Sequence, residues 1–241
     1  MFFAVAPIRA QVTGNVTSRV FQIRFAGKTG TAFVIDHEDR QYFVTAEHMV
    51  AAAGERAKID VFGQGDAEWH TLEFAILHGE LPCADVAVLK PTEKQFLKAD
   101  AIPYPSGFFF GQEVYFLGFP YGLYSSWGKD AIALQKHAYI SASVSCKSIY
   151  PNGSADERLL LLDGLNNPGF SGGPVVARDM MEGTRLFKVL GVISGYKNEI
   201  LALKVDGHDA VNASVAANSG IIIAVPMQRV VELLEKGGPK K

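Results

Sequence analysis

The sequence predicts an all-β protein of the sandwich or barrel class closed by one terminal helix, and three observations carry that expectation. Short apolar and β-branched runs recur with turn residues between them, among them VTSRVFQIRF, TAFVID, QYFVTA, KIDVFG, DVAVLK, EVYFLGF, HAYISASVS, RLLLLDG and SGIIIAV. Helix signals are scarce until Pro226 opens PMQRVVELLEKGG, where Val230, Val231, Leu233 and Leu234 share one face and Gly237 follows the last turn, giving a helix over about 226–236. A polar, Pro-containing stretch, PTEKQFLKADAIPYPSG, interrupts the strand pattern near mid-chain and reads as the connection between two halves.

The strands before this connection include TAFVID and QYFVTA around the polar turn HEDR, ending in TAEHMV, a short helical turn or loop. After it comes an aromatic run from Tyr104 to Trp127, expected to be mainly core because aromatic side chains dominate ordinary interiors.

With 241 residues, 48% hydrophobic and 20% charged, the chain has the balance of an ordinary globular protein. Its net charge of −2 supplies no field that would draw nucleic acid or an anionic membrane surface. No apolar stretch reaches the length of a bilayer span. The amino-terminal MFFAVAPIRAQV has no basic residue ahead of its short apolar run, and Pro7 and Arg9 interrupt it, so export is not indicated and a cytoplasmic location is expected. Cys83 and Cys146 are too few for a disulfide scaffold and lack metal-ligand spacing; a disulfide between the two stays open, two buried free thiols are the favoured expectation, and no metal or cofactor is expected. Nothing in the sequence sets an oligomeric state.

Chemistry concentrates in NPGFSGGPVV, where Ser171 sits among Gly169, Gly172 and Gly173. An acyl-transfer serine needs neighbouring amide N–H groups aimed at the developing oxyanion, and glycines let the chain bend tightly enough to present them. The amides of Gly169 and Ser171 are the natural donors. A serine hydroxyl also needs a base, and the base needs a carboxylate to hold its tautomer. Of the six histidines only His48 directly follows a strand in a turn that could face a cleft. Asp85 stands at the mouth of the apolar strand DVAVLK, where a charged group is costly unless hydrogen-bonded.

TAEHMV, DVAVLK and NPGFSGGPVV, in that order and separated by 37 and 86 residues between their key positions, resemble the histidine, aspartate and serine motifs of trypsin-like, chymotrypsin-fold serine proteases. The resemblance implies two six-stranded antiparallel β-barrels, an N-terminal one over residues 1–100 carrying His48 and Asp85 and a C-terminal one over 101–241 carrying Ser171, with the active site in the cleft between. FFGQEVYFLGFPYGL and SGIIIAVP further resemble HtrA-like bacterial members, although no room is left for a PDZ domain. Phe170 stands where the digestive enzymes carry an aspartate that pairs with a newly cut amino terminus, which implies activity without zymogen cleavage.

By the same resemblance Leu165 lies at the base of the primary pocket, so an apolar side chain is expected there rather than Lys or Arg. Ser194, Gly195 and Tyr196 would pair with an extended protein or peptide substrate, Tyr196 narrowing the pocket entrance towards small residues. The loop from Pro120 to Lys129 is expected to regulate access to the cleft. Two other classes fit parts of the sequence. GFSGG also matches the nucleophile elbow of α/β-hydrolases, but that motif needs a helix after the serine and Pro174, Val175 and Val176 read as strand. A protease fold can also persist as a binding module without turnover.

Overall fold

A computed structural model of the chain describes residues 12–237 apart from 64, 66, 105–106, 179–186 and 206–207. The amino-terminal segment considered above for export lies outside the described residues. Six strands, β1 (Val20–Phe25), β2 (Lys28–His37), β3 (Arg40–Thr45), β4 (Arg56–Phe62), β5 (Trp69–His78) and β6 (Ala87–Pro91), close into an antiparallel barrel in the order β1-β2-β3-β6-β5-β4. A second closed barrel follows from β7 (Glu113–Gly118), with the small hairpin of β8 (Ser125–Trp127) and β9 (Asp130–Ile132) inserted, then β10 (Leu134–Ser145), β11 (Arg158–Asp163), β12 (Pro174–Arg178), β13 (Phe187–Val205) and β14 (His208–Pro226). Its order is β10-β11-β14-β13-β12-β7, again antiparallel throughout. The expected all-β class and paired barrels are therefore the observed architecture.

Barrel closure follows from alternation along the strands. In the first barrel Ile23, Val34, Phe43, Ile59, Phe74 and Leu89 turn inward and form one cluster, all of them 0–1% exposed. Phe116, Ile140, Leu160, Val175, Ile193 and Ile222 do the same in the second. The opposite faces of both barrels contribute a further cluster, in which Val20, Phe33, Val44 and Val88 join Leu117, Phe119, Val176, Val192 and Val225. That shared layer fixes the two barrels against each other and so fixes the cleft. The connecting stretch is also held down, because Gln41 Oε1 accepts the amides of Phe96 and Leu97, each at 2.6 Å.

Three short helices complete the fold: α1 (Gly14–Thr17), α2 (Glu47–Val50) and the terminal α3 (Met227–Gly237). In α3 the buried stripe is Met227, Val230 and Leu234, with Val231 and Leu233 half-buried beside it, close to the face expected from the sequence. Each such buried side chain contributes about 1.5–3 kcal/mol relative to exposure.

Two expectations are corrected. Cys83 and Cys146 are not free thiols but form a disulfide, with Cα atoms 5.6 Å apart, linking the loop after β5 to the turn after β10 and hence one barrel to the other. Their separation of 63 positions along the chain concealed a proximity that only tertiary packing creates. The aromatic run divides: Phe116 and Phe119 are fully buried, but Phe109, Phe110, Tyr121 and Trp127 are 66–78% exposed.

Candidate active site

β3 delivers the chain from the barrel wall into α2, and the helix is pinned by Ala46, Met49 and Val50, all buried. This leaves His48 projecting at the cleft with its side chain 35% exposed. Asp85, 5% exposed, stands just before β6. Its Oδ1 accepts the backbone N–H of His48 at 2.9 Å, and its Oδ2 lies 2.8 Å from His48 Nδ1. A third donor, the Ser194 hydroxyl, reaches Oδ2 at 2.6 Å. A carboxylate only accepts, so Nδ1 carries a proton in this arrangement. The burial that makes Asp85 costly is thus matched by three hydrogen bonds.

Ser171 comes from the second barrel, in the tight turn before β12. Gly172 has φ +85°, and a Cβ there would meet Thr31 O at 2.1 Å and Thr45 Oγ1 at 2.3 Å. Gly169 has φ +106°, and a Cβ there would meet Phe119 O at 2.4 Å. These two positions take glycine because the turn is wedged against backbone. β12 follows the turn directly, so the helix required by a nucleophile elbow is absent and that alternative is removed.

Thr31 on β2, fully buried, clamps this turn across the barrel boundary. Its N–H donates to Ser171 O at 2.9 Å, its hydroxyl donates to Gly169 O at 2.7 Å, and that same hydroxyl accepts the Phe119 amide at 3.1 Å. The Phe170 N–H is committed to Asn167 O and the Tyr121 N–H to Pro168 O. Among the described residues the amides of Gly169 and Ser171 donate to no protein group, which leaves them available to an anionic oxygen. Phe170, fully buried against Phe116 with centroids 4.9 Å apart, replaces an ion pair with aromatic packing as the anchor of the turn.

The Ser171 hydroxyl is turned to Ser194 O at 3.3 Å, and no hydrogen bond joins it to His48. The structure therefore unites His48 with Asp85 directly and brings Ser171 to them through Ser194, whose backbone carbonyl and side-chain hydroxyl contact the two ends of the constellation. Ser194 was singled out in the sequence only for pairing with substrate; its hydroxyl bond to Asp85 was missed. Leu165, 52% exposed, borders the same turn, and Asn166 Nδ2 donates to Gly195 O at 3.1 Å, which ties the Leu165 end of the turn to β13. The Pro120–Lys129 loop touches the turn that carries Ser171 through the Tyr121 hydroxyl, which accepts from Asn167 Nδ2 at 3.3 Å.

A further pair was missed next to His48. Glu47, buried, places Oε1 2.9 Å from His78 Nδ1, while Oε2 accepts the Gly79 amide and His78 Nε2 faces Gly54 O. Burial pushes the Glu47 carboxyl up, against the opposing pull of His78. Burial alone would lower the His78 value, but the bonds to Glu47 and to Gly54 O, with the carboxylate's charge, raise it. No group of three or more metal-ligating side chains occurs among the described residues, and no helix among them is long and apolar enough to cross a membrane.

Among solved structures, the inactive form of a serine-to-alanine mutant of Rv3671c from M. tuberculosis H37Rv is similar over 94% of this chain and 91% of its own, with 21% identity and a TM-score of 0.57. Rv3671c protease in an inactive form gives the same identity and score. An alanine variant of the HtrA-type protease AlgW, solved with a tripeptide, has 20% identity and a TM-score of 0.59 and is covered over 60% of its length. At such identities the likeness is one of fold. No curated protein sequence matches the chain. The family model of the trypsin-like peptidase domain matches residues 30–181, a span that contains the histidine, aspartate and serine motifs, most of the first barrel and four of the six strands of the second. On that match the chain belongs to the trypsin-like peptidase domain family and is a serine peptidase.

Proposed function

We propose that the protein is an endopeptidase that cleaves polypeptides through an acyl-enzyme, with Ser171 as nucleophile, His48 as general base and Asp85 as the carboxylate that orients it. The observation that carries this reading is the saturated Asp85 carboxylate, which fixes the His48 ring at 2.8 Å. In the first step Ser171 Oγ adds to the scissile carbonyl carbon while its proton passes to His48 Nε2. The carbonyl oxygen takes the negative charge between the Gly169 and Ser171 amides. Collapse breaks the C–N bond, His48 returns the proton to the leaving amine, and water repeats the sequence on the ester. The first step requires the Ser171 hydroxyl to leave Ser194 O and turn to His48.

Substrate recognition falls to Ser194–Tyr196, as an extended strand partner, and to a pocket bounded by Leu165, Gly195 and Tyr196, which suits small or apolar side chains. The Cys83–Cys146 bond favours an oxidising compartment over the cytoplasm, where thiols are kept reduced.

The test is labelling by a fluorophosphonate together with cleavage profiling of a protein mixture, each against Ser171→Ala. Labelling should vanish in the variant, and kcat should fall by roughly 10³-fold or more. A silent binding module, which the present Ser171–Ser194 bond would suit, predicts instead no labelling and no difference between the two cleavage profiles.

A further inference from the structure

Behind the turn that carries the Gly169 and Ser171 amides lies a lysine that the triad chemistry leaves unused. Lys136 stands on β10 opposite Phe116 of β7. Its ammonium donates to the carbonyl oxygen of Leu165 and, at 3.1 Å, to Asn167 Oδ1. It also lies 5.9 Å from the ring centroids of both Phe116 and Phe170, within the range of cation–π attraction. No carboxylate pairs with it among the described residues.

Three of these four contacts are distributed along one segment, and the fourth, Phe116, packs against it from β7. Leu165 and Asn167 begin it, and Phe170 immediately precedes the nucleophile. Asn167 is in turn tied to the segment's far side, because its carbonyl accepts the Phe170 amide and its side-chain nitrogen donates to the Tyr121 hydroxyl. Tyr121 closes the circuit by donating its backbone N–H to Pro168 O, which sets the plane of the peptide group that presents the Gly169 N–H. Burial lowers the Lys136 pKa, so keeping the ammonium here has a cost that its carbonyl, amide and aromatic partners must offset.

We infer that Lys136 is a positioning residue for the oxyanion site: its ammonium grips the 165–170 segment from behind and holds the Gly169 and Ser171 amides convergent. The inference rests on the peptidase reading above and assigns that site a structural cation. It also gives a physical account of how an aromatic residue can precede the nucleophile. A charge supplied by a strand takes the anchoring position, and the Phe170 ring is one of the groups that receive it. Lysine suits the place because a compact ammonium with three donors can serve two oxygens at once while its stem packs on the rings.

The distinguishing experiment compares a peptide aldehyde with the alcohol of the same sequence as inhibitors of wild type, Lys136→Met and Lys136→Arg. Ser171 Oγ adds to the aldehyde carbon, and the former carbonyl oxygen of the adduct then sits between the two amides. The alcohol forms no adduct and reports binding of the peptide alone. The preference for aldehyde over alcohol should fall by about tenfold or more in Lys136→Met, with kcat falling in step and KM little changed, and Lys136→Arg should recover part of it. Because the preference is a ratio within each variant, a reduced fraction of folded enzyme cancels. An unchanged ratio in Lys136→Met, with wild type still labelled by a fluorophosphonate, overturns the inference and leaves the peptidase reading intact. A wild type that takes neither aldehyde nor fluorophosphonate overturns both.

Discussion

At the scale of single residues, the cleft depends on side chains whose sequence context is unremarkable. Thr31 serves as donor to Gly169 O and acceptor for the Phe119 amide in a fully buried position. Thr31→Val preserves shape but leaves that carbonyl and that amide without a partner, and each buried polar group so orphaned costs about 1–3 kcal/mol. The variant should unfold at lower denaturant and lose kcat/KM through kcat, since the Gly169 peptide is no longer held; a denaturation curve and peptide kinetics check both. His48, Asp85 and Ser171 were legible because each follows or precedes an apolar run in a setting that demands explanation: a histidine at a strand end, a carboxylate at the mouth of DVAVLK, a serine among glycines. Thr31, Lys136 and the Ser194 hydroxyl were not. Their roles consist of contacts between strands far apart in the chain, and a threonine or lysine within a strand looks the same with or without such contacts.

At the scale of elements, α2 couples His48, the proposed general base, to an ionisable pair. Glu47 and His48 are adjacent in this single turn, and Glu47 is held from the other side by His78 at the end of β5. Both ring nitrogens of His78 face oxygen acceptors, so the pair is best satisfied while it holds a proton. Both groups are shifted upward on folding, with Asp85 adding to the rise at Glu47 and no other ionisable group contributing at His78. The sign follows from linkage: a folded state that binds the extra proton gains stability at low pH and loses it as pH rises through the raised values. For His78 the contribution is complete below the ordinary histidine value of 6.5 and declines above it. Melting temperatures followed from about pH 6 to 8.5 should fall more steeply in wild type than in Glu47→Gln/His78→Gln, where the proton-linked slope of the pair is gone. Equal slopes would show that the pair does not exchange a proton on unfolding. The strands around this helix were readable from the alternation of TAFVID and QYFVTA and from the turn HEDR between them, and the terminal helix from Pro226 and its apolar stripe. The pair itself was not, because His78 is placed against Glu47 by β6, which pairs with both β3 and β5 so that Thr45 and His78 flank Ala87, a relationship between segments 31 residues apart.

At the scale of the whole molecule, each barrel closes on its own hydrogen bonds, yet the proposed active site belongs to neither. His48 and Asp85 are carried by the first barrel and Ser171, Ser194 and the Gly169 and Ser171 amides by the second, so the geometry of the proposed site is set by how the barrels are held together. Beside the Thr31 and Ser194 hydrogen bonds that cross the boundary, the apolar layer shared by both barrels and the Cys83–Cys146 bond that crosses it do this. The apolar layer is continuous whether or not the bond is intact. The disulfide acts chiefly on the unfolded chain, whose freedom it restricts across 63 residues, and a crosslink of this kind stabilises by about 2–4 kcal/mol. For a protein of this length that corresponds to roughly 5–15 °C in melting temperature. Reduction should therefore lower Tm by such an amount in wild type, and Cys83→Ser/Cys146→Ser should melt near the reduced value and be indifferent to reductant. If the barrel interface is already fixed by packing, the reduced enzyme at low temperature should retain its KM and most of its kcat. A collapse of kcat on reduction far below Tm would mean instead that the shared layer is too weak to align the two halves, and that the crosslink, acting on the folded state, sets the distance from Ser171 to His48.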